Sequence, residues 1–129
     1  MICIKTHQAE LETLSDYFYN ISSRYISQGD INNARTWAQH SRLANSIHHG
    51  LPLLKSWSIE AFPGMIENIA TLEGITSALV TIQHSMTPEG RTEWKRQNLL
   101  LKGLNDHLLD LQQAKHASLN KSPLQTAHA

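Results

Sequence analysis

The side chains in this sequence best equipped for chemistry are its histidines. There are eight in 129 residues, and His40, His48 and His49 gather near the end of one helical stripe, where the helix dipole favours imidazolium. A structural zinc site needs four convergent Cys or His ligands at short, recognisable spacings, and the sequence contains no such spacing. Asp106-His107-Leu108-Leu109-Asp110 offers His and Asp three apart on one helical face, as a metal site inside a bundle would. Di-iron bundles, however, use two Glu-x-x-His elements and further glutamates, and these are missing. Cys3 has no second thiol to pair with and no base in a readable nucleophile motif. Gly64, Gly74, Gly90 and Gly103 are isolated, without the spacing of a phosphate-cradling loop. The expectation is a non-enzyme with no catalytic residues, no metal and no cofactor.

Charge excludes further classes. Eleven basic and eleven acidic side chains cancel, which removes the electrostatic footprint of generic nucleic-acid or anionic-membrane binding. The surface is polar rather than charged, with 37 Ser, Thr, Asn and Gln residues against 17% charged ones. The richest apolar segment, residues 66–82, is interrupted by Glu67, Asn68 and Glu73, so no stretch approaches the ~18 apolar residues of a membrane span. The short apolar start before Lys5, Thr6 and His7 lacks the length of a signal-peptide core. With one cysteine, this suggests a reducing, cytoplasmic setting. The length fits one domain over residues 1–119, and residues 120–129, with Pro123 and little to bury, suggest a flexible tail.

The elements that must position these groups are helices. Leu11, Leu14, Phe18, Ile21 and Tyr25 step by three and four along one face, and Gly29 ends that helix. Asp30 is an N-cap for a second stripe, Ile31, Ala34, Trp37, Ala38, Ser41, Ala44 and Ile47, that stops at Gly50. The Gly-Asp joint forces the two helices antiparallel. After Pro52, Leu54, Trp57 and Ala61 could line a short helix, which Phe62-Pro63-Gly64 would break. Ile69, Leu72, Ile75, Leu79, Ile82 and Met86 make the most apolar helix. Thr87-Pro88-Glu89 then starts a last helix running to about Ser118. On that helix Trp94, Leu100, Leu101, Leu104, Leu108 and Leu111 share an arc, with Arg91, Lys95, Asn98 and Lys102 opposite. No useful length alternates with period two, so the fold class is all-α.

The stretch YFYNISSRYISQGDINNARTWAQHSRLA, residues 17–44, resembles one tetratricopeptide (TPR) repeat. Phe18, Ile21, Ser22, Tyr25, the Gln28-Gly29-Asp30 turn and Ala34 stand where the repeat places its bulky, aliphatic, small, aromatic, turn and small positions. The pattern departs where Ala38, Ser41 and Ser46 replace the expected aromatic, alanine and proline, and the sequence has no second copy of the repeat. The expected architecture is a TPR-like helix-turn-helix hairpin packed on a longer antiparallel helical hairpin, four to five helices in all. The resemblance implies a protein-binding scaffold, an adaptor or chaperone; small TPR-like proteins serving bacterial secretion systems are its specific version.

Tyr17, Phe18 and Tyr19 diverge by about 100° each on a helix, so they cannot all enter one core. A surface tyrosine beside Asn20, Arg24 and Gln28 makes Tyr17, Tyr19, Asn20, Arg24 and Gln28 the candidate partner-binding set. Trp94, Leu101 and Leu108 are seven apart, a seam that faces either the core or a second subunit. The expected partner is another protein, in a homodimer or a constitutive hetero-complex. The alternative is a dimeric helical regulator that contacts nucleic acid through Arg91, Lys95 and Lys102, with Arg96 beside them.

Overall fold

A computed structural model describes residues 3–82 and 88–128, with side chains for 3–81 and 90–119. The element order is α1 (Ile4–Ser27), α2 (Ile31–Gly50), a 3-10 helix (Leu51–Ser56), α3 (Ala61–Ile82) and α4 (Pro88–His128). There is no strand among the described residues. The chain is all-α, two antiparallel helical hairpins packed face to face.

The α1–α2 turn is built from local chemistry. Gly29 adopts φ 76°, the left-handed conformation that ends helices, because it has no Cβ to clash. The Gly29 N–H donates to Ile26 O at 3.0 Å and the Asp30 N–H to Tyr25 O at 2.9 Å, satisfying the last carbonyls of α1. Asp30 then accepts from the Asn33 N–H at 3.2 Å and starts α2 as its N-cap.

Small side chains hold the hairpin closed. Ser22 Oγ donates to Ala34 O at 2.6 Å, Ser15 and Ser41 exchange hydroxyl-to-carbonyl bonds at 3.0 and 2.9 Å, and His48 Nδ1 donates to Gln8 O at 2.7 Å. The carbonyl can only accept, so this bond puts a proton on Nδ1. The partners run 8, 15, 22 against 48, 41, 34, a seven-residue step in opposite directions that fixes one register. Ala34 is 4% exposed at this crossing. Ala34→Leu is therefore expected to overpack the hairpin by ~1–3 kcal/mol and to lower its melting temperature. An unchanged melt would show that the two helices do not touch there.

Residues three positions further along each helix form the hairpin's inner flank. On α1 these include Leu11 and Phe18, on α2 Ala44, and at the start of the 3-10 helix Leu51, all buried in one core with Ile69 and Leu72 of α3 and Leu104 and Leu108 of α4. Helix α1 begins seven residues before the expected Leu11, at Ile4, because Ile4 and the buried His7 continue its inward stripe. A histidine in that stripe hides it from an apolar count.

Three expected boundaries differ. Leu54, Trp57 and Ala61 do not share a helix: a 3-10 helix ends at Ser56, Trp57 is extended, and Ala61 opens α3. Phe62-Pro63-Gly64 lies inside the first turn of α3 instead of breaking a helix, since proline there surrenders an N–H that has no helical acceptor. Helix α4 continues past Ser118 to His128. The side chains of the expected tail, residues 120–129, lie outside the described residues, as do Met86 and Thr87. Gly50 ends α2 as expected, but in right-handed geometry. Its role is close approach, for a Cβ there would stand 2.6 Å from Met65 Cε, and Trp57 Nε1 donates to Gly50 O at 3.1 Å.

Candidate interaction surface

Helix α4 is gripped on two sides by polar groups. Toward α1, Arg96 forms a bidentate pair with Glu10 at 2.9 and 2.8 Å and also bonds Glu93 at 3.1 and 2.6 Å. The buried Gln97, 1% exposed, donates to Glu10 at 2.9 Å and to Glu93 at 3.2 Å. Hydrogen bonds from Arg96 hold both carboxyls below their ordinary pKa, and the two carboxylates raise that of Arg96. Toward α3, Asn98 Nδ2 donates to Glu73 O and Thr76 Oγ1, both at 2.9 Å, in a site where Thr76 is fully buried. Asn98 thus does not share the open side of α4 with the lysines, because α3 covers it. Lys115 Nζ donates to Trp57 O and ties α4 to the extended segment between the 3-10 helix and α3.

The structure separates the candidate binding residues. Tyr17 is half-buried, its ring edge-on to Trp94 at 5.8 Å, and burial raises its phenol pKa, with Glu93 adding to the shift. Asn20, Arg24 and Gln28 are exposed along one edge of α1. Tyr19, 63% exposed, lies about 140° from Arg24 and 180° from Gln28 at about 100° per residue, on the other side of the helix. The five residues therefore belong to two surfaces. At the hairpin tip the inner flank opens: Tyr25 and Trp37, with Ile21 beside them, are only half-buried, and Arg24 and Gln28 lie within about 60° of Ile21 on the helix.

Trp94, Leu101 and Leu108 enter the chain's own core, at 8%, 3% and 0% exposure. A seam built from them joins α4 to the rest of this chain. Of the basic side, Arg96 is engaged by Glu10 and Glu93, while Lys95 and Lys102 are exposed. Periodicity marked none of Glu10, Gln97 or Thr76 as important. Glu93, Arg96 and Gln97 carry a local signal in their three- and four-residue spacing, but Glu10 lies far away in sequence.

Among the described residues, no three His, Cys, Asp or Glu side chains converge as a metal site would require. Asp106 and Asp110 are exposed, and His107 is half-buried facing the side of α1 that carries His7. Cys3 is exposed, and a hydrogen bond with Thr6 lowers its thiol pKa. Comparison with known protein families, with curated proteins and with solved structures found no match. No helix of the described residues is long and apolar enough to cross a membrane.

Two of the histidines predict the pH response. Burial lowers the pKa of His7, with His107 adding repulsion, and burial also lowers that of His40, whose ring meets Phe18 at 5.8 Å and Trp37 at 5.2 Å. Each binds its proton more tightly in the unfolded chain, so stability rises with pH and is lost as pH falls below about 6.5. Glu10 and Glu93, with depressed pKa values, contribute stability that is present above about 4.5 and disappears below it. Urea unfolding should show less stability at pH 5.5 than at pH 7, and His7→Gln with His40→Gln should flatten that step. A flat wild-type profile over this range would remove the histidines from the account.

Proposed function

We propose that this protein is a small interaction module, an adaptor or chaperone-like scaffold without catalytic activity, that holds a segment of another protein beside the tip of the α1–α2 hairpin. The observation that carries this reading is the half-open inner flank, where Tyr25, Trp37 and Ile21 keep apolar surface available beside the hydrogen-bonding side chains of Arg24 and Gln28. Aromatic anchors rimmed by polar groups are the composition of protein-binding patches. The sequence resemblance of residues 17–44 to a TPR repeat supports the same role and its secretion-associated version. The absence of net charge favours a protein over a polyanion, and the setting we infer is the cytoplasm.

Affinity capture with the intact chain tests the reading. One discrete protein should be retained in stoichiometric amount, and Arg24→Glu with Gln28→Ala should lose it while circular dichroism stays unchanged. Retention indifferent to those substitutions would move the site elsewhere. Retention of DNA that falls steeply with salt, lost in Lys95→Glu, would replace the reading with the nucleic-acid regulator.

A further inference from the structure

The hairpin has a second side, away from α3 and α4. Four residues on from each seam position of α1 stand Glu12, Tyr19 and Ile26; three residues back from each seam position of α2 stand Asn45, Ala38 and Ile31. These form the outer flank of the same crossing, and its large apolar members are open to solvent, with Tyr19 63%, Ile26 58% and Ile31 54% exposed and Ala38 half-buried between them. The next positions outward are Asp16 on α1 and Arg42 and Arg35 on α2, all exposed. The apolar strip therefore has an acidic border, Glu12 and Asp16, on α1 and a basic border, Arg35 and Arg42, on α2. Among the described residues no ion pair engages any of these four.

We propose that this outer face is covered by a second copy of the chain, paired about a two-fold axis parallel to α1 and α2. The charges select both the occupant and the axis. A two-fold perpendicular to the helices would lay α1 on α1 and bring acid to acid. The parallel axis lays α1 on α2 of the partner, acid to base, at both symmetric contacts. It also preserves height along the hairpin. The register that sets Ser15 beside Ser41 within one chain then sets Asp16 opposite Arg42 of the partner subunit, with Tyr19 over the partner's Ala38 and the isoleucines meeting at the tip. The pairing leaves the Arg24 edge and the half-open inner flank uncovered, so it goes beyond the proposed function without depending on it.

Sedimentation of wild type, Asp16→Arg and Arg42→Glu, each checked by circular dichroism, tests the pairing. Wild type should be dimeric at about 100 µM, and either reversal should weaken the dimer about tenfold or more by placing like charges together. An equimolar mixture of the two variants should restore a dimer containing one copy of each, since the base introduced by Asp16→Arg then meets the acid introduced by Arg42→Glu at one contact, and the native acid and base meet at the other. Tyr19→Ser should weaken the dimer without being rescued by mixing. A monomeric wild type overturns the proposal, whether or not another protein is captured on this face. So does a dimer indifferent to the reversals, or a mixture that fails to pair. None of these results bears on capture through Arg24, which is read separately.

Discussion

Leu101→Glu is expected to abolish the folded state. Leu101 is 3% exposed in the cluster that joins the two hairpins. Removing a buried leucine costs about 2–5 kcal/mol by itself. The carboxylate put in its place would be desolvated among Leu104, Leu108 and their neighbours, with several kcal/mol more lost to burying an unpaired charge. A domain stable by about 5–15 kcal/mol has no margin for both. Circular dichroism at neutral pH should show loss of the cooperative melt, while Leu101→Met, which conserves volume, should cost less than about 1.5 kcal/mol. A helical Leu101→Glu chain that melts cooperatively would place this residue at a surface and return the Trp94, Leu101 and Leu108 seam to an intersubunit role.

The second large effect is expected at Phe18, which is fully buried and touches three rings from two other helices. Its ring stacks on Trp94 at 5.8 Å and 16°, and lies 5.7 Å from Trp37 and 5.8 Å from His40. The side chain thus links α1 and α2 to α4, beside the edge-on Tyr17–Trp94 contact and the polar contacts around Glu10. Phe18→Ala should cost about 3–5 kcal/mol through lost burial and the cavity left behind. For a domain of this size that corresponds to a fall in melting temperature of roughly 10–20 °C. Tryptophan emission should shift to the red as water reaches Trp37 and Trp94. A loss below about 1 kcal/mol would mean that the cavity collapses and that the hairpins are held mainly by Glu10, Arg96 and Gln97.

What was legible in the sequence follows the range of the forces involved. The turn at Gly29 and Asp30, the proline start of α4 and the apolar stripes of all four helices rest on groups within one or two turns of each other, so spacing alone reveals them, except that Ile31 and Ala38 of the α2 stripe lie on the hairpin's outer flank. The pairing of Ser22 with Ala34 was also accessible, because the short turn fixes which residues of α1 and α2 can meet. Helix boundaries were less accessible where a polar residue continues a buried stripe, as His7 does in α1.

The packing of Tyr17 against Trp94, the engagement of Arg96 by Glu10 and the burial of Asn98 against Thr76 were decided only in three dimensions. The same holds for Trp94, Leu101 and Leu108, whose seven-residue spacing suits a core or a subunit contact equally well. In each case the deciding partner lies on another helix, and helical periodicity records which face a residue occupies without recording what packs against that face. The sequence by itself thus determined an all-α chain of hairpins, because caps, turns and apolar spacing are local. Tertiary packing decided which of its faces remain open to another molecule, because exposure depends on every helix at once.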